Sequence, residues 1–464
     1  MNNKPLTYDS LKTVLQYMDP NIRFFLLSRA PSIRTAEKAA PLRIYAVEID
    51  DHKIRVNQTE YKYEVYQVDR NDNVPYLVSG LRLNDRWTCD VDEFGIPDYI
   101  TKAGGILPGN NGRDERNLFG FEDHENIPDN DGRLRKLERI LETEKNRYKQ
   151  LLKLQPRRPT GRRRNEGLGF IKFTFIRRDQ ARLYTKEELE LLKNKKEVKR
   201  AVEYTEKMVK LMEDELLPFQ NRRNNIRPKF EIHVFKRQGW SQFHLIERVN
   251  YTGAILKVGE SLMEFMFSNR NHAIVVNRFY ASWDCSLRMP RNMKMRMKHL
   301  IIGSEKTIQL VKPIIDESSF PLEKVKVNSV SRETLEMNHE FIQTCKLLKL
   351  YMANDPPLEL IQNVTHSNVE FDICSDFLLK EDFIALIRNW METNKPIGNC
   401  FTFHTHKNEA ETIEILRKVE NQIDGAIYEN KCVDIPMRNS STLKLRLVEV
   451  NFHRYIKMTV VPFK

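Results

Sequence analysis

Six three-residue phrases recur between Val276 and His406: Phe279-Tyr280-Ala281, Leu300-Ile301-Ile302, Val325-Lys326-Val327, Leu348-Lys349-Leu350, Val369-Glu370-Phe371 and Phe401-Thr402-Phe403. In each, an apolar residue is followed two positions on by another apolar or small one, the period of a strand with one buried face. An apolar residue also precedes the phrase by three positions at Val276, Met297, Leu322 and Cys345. Helical spacing occupies two of the gaps, through Ile308, Val311, Ile314 and Ile315 within Thr307–Asp316 and through Phe383, Ile384, Ile387 and Trp390 within Lys380–Glu392. A βα unit of this size cannot bury both faces alone. The units are therefore expected to stack, each strand extending a parallel sheet that helices cover on one side.

The phrases lie roughly 21 to 32 residues apart, close to the range of leucine-rich repeats, and the preceding apolar residue extends them toward L-x-x-L-x-L. The asparagine that follows in that repeat is replaced by Val330, Ala353 and Cys374, so the loop chemistry differs. An ordinary compact α/β domain with evenly spaced strands is the alternative.

Composition bounds the rest. A chain of 464 residues, 40% hydrophobic and 30% charged, is long enough for two to four domains with a sizeable core. Its six cysteines are far apart and form no C-x-x-C pair, which argues against a zinc ribbon, a redox motif or a disulfide scaffold. The N-terminus lacks an apolar signal segment and no run of 18 apolar residues occurs after it, so cytosol or nucleus is the expected compartment and no membrane contact is expected.

The chain begins with an amphipathic helix in which Leu11, Val14, Leu15 and Met18 form one stripe. Asp19-Pro20 reads as a cap and first helical position of a second helix ending before Pro31, and Ser32 as the cap of a third. Three short helices in about 35 residues cannot hold a core alone and must pack on the next segment of the chain or on a partner. Alternation from Leu42 to Tyr66 predicts two or three strands, and the Gly- and Asn-rich stretch from Lys102 to Asp131 a loop.

Two further helical stretches are expected between residues 132 and 229, one through Leu134, Leu137, Leu141, Tyr148 and Leu151 and one through Leu189–Leu216 ending at Pro218. That segment holds 29 Lys and Arg against 14 Asp and Glu, a net +15 in a chain of net +12, so the basic charge is local. Its densest part, with Arg157, Arg158, Arg162, Arg163 and Arg164, could be read by a nuclear importer or contact nucleic-acid phosphates; a solvated basic linker is the plainer account. Phe170, Phe173 and Phe175 alternate, as on a strand.

The stretch Pro5–Met18, with Arg23, Ser28–Arg34 and Glu37-Lys38 after it, resembles the divergent F-box of a nematode-expanded F-box-like family whose C-terminal half is a domain of unknown function. The likeness continues through Asp90–Gly95, Glu215–Phe219 and Leu287–Pro290. It implies N-terminal helices that bind a Skp1-like adaptor of a cullin ubiquitin ligase, with Leu6, Leu11, Val14, Leu15 and Met18 as the adaptor-binding residues, and a C-terminal domain that captures a protein target. This chain opens Pro5-Leu6 where the usual F-box has Leu-Pro.

Chemistry-bearing motifs are not expected to add to this. Asp90–Thr101 lacks the oxygen ligands of a calcium loop at Phe94 and Thr101, and His404 and His406 share a strand face without a third ligand nearby in sequence. No phosphate loop, nucleophile elbow or zinc-protease motif occurs, so neither a catalytic residue nor a metal or cofactor site is expected. The expected organisation is an α/β chain: an F-box-like helical segment at 1–45, a small β region at 46–100, a flexible loop at 101–131, a basic helical segment at 132–228 and a βα-repeat, leucine-rich-repeat-like domain at 229–464. The expected function is a non-catalytic substrate-recognition adaptor, with a nucleic-acid- or chromatin-associated protein, or a scaffold without a ligase role, as alternatives.

Overall fold

Three short helices lead into a strand hairpin: α1 (Tyr8–Tyr17), α2 (Pro20–Arg29), α3 (Arg34–Ala39), β1 (Arg43–Asp50) and β2 (Lys53–Val56). The computed structural model describes residues 7–50, 52–70, 74–78, 90–97, 130–155, 168–176, 181–282, 288–303, 306–328, 340–352, 357–373, 376–405, 407–438, 440–450 and 453–463. Asp19 caps α2 as its sequence predicts, its carboxylate accepting from the Asn21 and Ile22 amides at 2.8 and 3.3 Å. Ser32 is not the cap of α3; it lies inside a 3-10 turn, Pro31–Ile33, that feeds α3 directly. The chain forms two compact units, one of Met1–Glu60, Gln238–Trp240 and Glu260–Lys464, the other of Tyr61–Arg237 and Ser241–Gly259.

The second unit contains β3 (Thr59–Gln67), β4 (Tyr76–Leu77), α4 (Asn130–Leu152), α5 (Leu168–Thr174), α6 (Lys186–Glu190), α7 (Lys195–Arg223), β5 (Phe230–Gln238) and β6 (His244–Asn250). Leu137, Ile140 and Leu141 of α4 pack on Met212, Leu216 and Phe219 of α7, while Leu151 packs with Val198 and Ala201, so the two helices run antiparallel. Two expectations are corrected here. Pro218 does not end α7: its missing amide removes one helical bond, but Leu216 and Phe219 on either side are held in the core and the helix continues to Arg223. Phe170 and Phe173 lie on α5, not on a strand. Three apolar residues cannot separate a period of two from one of 3.6, and the spacing that counts is 170 to 173, with Phe173 buried and Phe175 left outside the helix and exposed.

From α8 (Leu256–Phe267) onward the predicted phrases become strands β7 (Ile274–Ala281), β8 (Met295–Ile302), β9 (Lys324–Val327), β10 (Leu348–Met352), β11 (Asn368–Ile373) and β12 (Cys400–Thr405), interleaved with α9 (Lys306–Val311), α10 (Glu340–Thr344), α11 (Leu358–Gln362) and α12 (Glu381–Glu392). They pair parallel and in chain order, each strand beside its predecessor, with β1 parallel to β7 at the other side. The helix expected through Asp316 stops at Val311, because Pro313 turns the next residues into a 3-10 segment; Ile308, Val311, Ile314 and Ile315 are nevertheless all buried.

After β12 come α13 (Glu409–Gln422), β13 (Ile427–Glu429), β14 (Cys432–Met437), β15 (Ser441–Val450) and β16 (His453–Pro462). The last four form an antiparallel meander whose final strand, β16, pairs antiparallel with β12, so the C-terminal sheet is mixed.

The residue three positions ahead of the phrase is buried at Val276, Met297, Leu322 and Cys345, and the series extends to a fifth position the apolar pattern hides, ending only at the sixth phrase, where Gly398 is exposed. His366 stands where Cys345 stands one unit earlier. Its Nε2 lies 2.7 Å from the Cys345 carbonyl and its Nδ1 3.0 Å from the Asn368 amide nitrogen, so one ring ties two successive units together. Alanine at His366 leaves both backbone groups unpaired and is expected to cost about 1–3 kcal/mol, read as a lowered urea midpoint at unchanged slope.

Candidate functional site

Alternation along β7–β12 sends Phe279, Leu300, Val325, Leu348, Phe371 and Phe403 into the core, where Phe383 and Trp390 of α12 meet Phe403 and Phe401. The residues between them face the other way and are half-buried. Register aligns Tyr280, Ile301, Lys326, Lys349, Glu370 and Thr402 in one row that continues onto Lys457 of β16 and Arg446 of β15. A second row carries Tyr351 beside Asp372, and His404 beside Tyr455. This face is a lattice of charges: Lys349 pairs with Glu370 and lies 3.6 Å from Asp372, Lys324 is 3.6 Å from Glu370, and His404 Nδ1 is 3.4 Å from Asp372. Burial works against the Lys349 charge, but the Glu370 hydrogen bond and the two carboxylates outweigh it and raise its pKa. Lys326 is shifted the other way, by burial first and by Lys349 second.

The N-terminal helices are fastened to the rest of their unit by a buried ionic cluster. Glu37 of α3 accepts from Arg23 Nε of α2 at 3.1 Å and from Arg270, just past α8, at 2.9 Å, with Glu37 0% and Arg23 1% exposed. Arg23 also donates to the carbonyls of Pro41, Ala40 and Glu37, and Arg270 to that of Met266. Phe24 meets Phe267 edge-on at 6.0 Å, and Lys38 Nζ donates to the Phe265 carbonyl at 2.8 Å. Burial, then repulsion by Arg270, brings the Lys38 pKa from 10.5 to about 8 against the attraction of Glu37. Below about pH 8 both folded and unfolded states hold the proton and the penalty is complete. Between about pH 8 and the unfolded value the unfolded state binds more protons, so stability rises with pH across that window. Lys38→Met is expected to flatten the rise, measured by urea midpoints from neutral to alkaline pH.

Of the five expected adaptor-binding residues, Leu15 is fully buried against Ala36 and Ala40, Leu11 and Met18 are half-buried beside it, Val14 is 45% exposed, and Leu6 lies outside the described residues. Beside Val14, the apolar side chains that α1 and α2 present to solvent are Tyr8, Tyr17, Ile22 and Phe25. Their i, i+3 spacing at Val14/Tyr17 and Ile22/Phe25 is readable in the sequence; Val14 reads there as part of the inward stripe, and Tyr17, Ile22 and Phe25 are hidden beside it. Aspartate at Leu15 is expected to cost more than 3 kcal/mol and aspartate at Val14 about 0.5 kcal/mol or less, both by urea denaturation.

Other chemistry-bearing groups are engaged in packing. Cys345 Sγ lies 3.5 Å from His366 Nε2, but burial pushes the thiol up to about 11 and the imidazole is committed to the carbonyl. Asp90 accepts from the Tyr251 hydroxyl and the Ile255 amide at 2.8 and 2.7 Å, and Asp92 from the Phe94 and Ile96 amides, closing a turn in which Gly95 takes φ +90°. His404 lies 3.3 Å from His453 and beside Tyr455, while His406 falls outside the described residues; among those described, no group of three metal-ligating side chains gathers. A cleft of about 230 Å³ opens at the ends of β11 and β12, between Phe377, Phe403 and the Asp376–Lys407 ion pair at 2.9 Å. That is below the ~300–1,000 Å³ of ordinary ligand pockets, which leaves the broad sheet face as the better candidate. The basic residues Arg157, Arg158, Arg162, Arg163 and Arg164 lie outside the described residues, and among those described no helix is long and apolar enough to cross a membrane.

No curated protein and no solved structure matches the chain. One family model does: residues 258–407, about a third of the chain and the span holding all six parallel phrases, carry a domain described as a domain of unknown function, DUF3557.

Proposed function

We propose that the protein is a non-catalytic, F-box-like recognition adaptor in which the N-terminal helices engage a Skp1-like partner and the open face of the βα array, leucine-rich-repeat-like in its strand order, holds a protein target. The observation that carries this reading is the division of α1 and α2 into two sides. One side is locked to the body of its unit by Leu15, Phe24 and the Arg23–Glu37–Arg270 cluster, and the other leaves Val14, Tyr17, Ile22 and Phe25 in solvent. Exposed aromatic and aliphatic side chains on a rigidly held helix pair suit a helix-packing interface.

The test is direct binding of the full chain to a purified Skp1-like adaptor by calorimetry, with Tyr17→Asp and Phe25→Asp as surface variants. Micromolar or tighter binding that each variant weakens at least tenfold supports the reading. Wild-type chain that is folded by circular dichroism and does not bind overturns it.

A further inference from the structure

The open row carries charge in an arrangement that folding alone does not favour. Lys326 and Lys349 stand directly opposite on β9 and β10, a like-charge pair of the kind that weakens a sheet. Lys349 is compensated by Glu370 and Asp372, and Glu370 also takes Lys324. Lys326 makes no ion pair among the described residues; burial first and Lys349 second press on its charge, and the attraction of Asp372 and Glu370 offsets them only in part. Beyond Glu370 and Thr402 the row carries a second adjacent pair, Lys457 opposite Arg446, both exposed and both without an ion pair among the described residues. The stretch of the row from β9 to β15 thus has four cations and one carboxylate, with Lys326 at its start and Lys457 and Arg446 at its close; further carboxylates come only at Glu48, beyond Ile301 and Tyr280, and at Glu429, beyond Cys432.

We propose that this face binds an acidic segment of a protein partner, carboxylates docking on Lys326 at one end and on Lys457 and Arg446 at the other. The inference rests on the open face being the target face. From β9 to β16 is four strand steps, roughly 19 Å at ~4.8 Å each, which an extended peptide at ~3.3 Å per residue spans with about six residues. The preferred segment therefore has acidic residues about six apart, crossing the strands, with uncharged residues between them where it passes Glu370 at the centre and then Thr402. A carboxylate beside Lys326 relieves both the repulsion from Lys349 and the cost of holding a desolvated, unpaired ammonium.

The test is fluorescence anisotropy of a labelled ten-residue polyglutamate peptide with the full chain at low salt, beside a glycine-serine peptide, a ten-residue polylysine peptide and a ten-nucleotide thymidylate. Polyglutamate is expected to bind alone, to weaken with salt, to lose at least fivefold in Lys326→Gln, and to lose most of its affinity when Lys457→Gln and Arg446→Gln are added. Lys199→Gln, exposed on α7, is the unaffected control. Thymidylate binding as tightly, with the same sensitivity, overturns carboxylate recognition in favour of phosphate. Binding of the uncharged or basic peptide that Tyr351→Ala abolishes overturns the acidic preference and leaves the target-face reading standing. No peptide binding sensitive to any of these variants overturns both, while the Skp1-like binding measurement reports on the helices independently.

Discussion

Alanine at Glu37 lowers the unfolding free energy by about 3–5 kcal/mol, the scale for stripping the partner from a buried charge. Two guanidiniums depend on this one carboxylate oxygen, and burial already weighs against the charge of each. Removing the carboxylate leaves both cations in place with only carbonyl acceptors. Because Arg23 belongs to α2 and Arg270 lies just past α8, the loss is expected to show first as loosening of the N-terminal helices: faster amide exchange in residues 8–39, with β9–β12 still protected. Glutamine keeps the shape and one acceptor and should recover part of the stability. A Glu37→Ala variant with a wild-type urea midpoint would remove the cluster from any account of how the helices are held.

Phe403→Ala is expected to cost about 3–5 kcal/mol, the range for deleting a large buried aromatic side chain. Its ring stacks on Phe371 at 5.0 Å and lies 5.5 Å from Phe383 and 6.1 Å from Phe377, so its loss opens a cavity lined by three rings from three different elements. Leucine, which refills part of the volume, should restore more than half. The check is a paired urea titration of both variants; equal midpoints for alanine and leucine would show that the neighbouring rings close over the space.

The parallel strands were legible because their signal is local. Each phrase needs only three residues to show alternation, and the strand buries the same two positions wherever it docks. The antiparallel end of the sheet was legible in principle too, through Leu443, Leu445 and Leu447 and through Ile456, Met458 and Val460, but these lie beyond the repeated block that dominates the pattern. Arg23 and Glu37 were visible as parts of a resemblance and not as a buried pair, since a charged residue in a short helix is expected in solvent and its other partner, Arg270, is 233 residues from Glu37. The sheet face was hidden in plain view: Lys326, Lys349 and Glu370 are the middle residues of the phrases, and only register shows that they form one row. Short apolar runs misled where two periods fit equally, as at Phe170–Phe175.

Strand β12 finds its second neighbour only in β16, which begins about fifty residues later in the chain. A ribosome adding roughly 5–20 residues each second leaves the edge of the parallel array unsealed for roughly 3–10 s after β12 emerges. During that window the exposed edge of β12 is a ready template for mispairing, and the closing strand, once made, removes it.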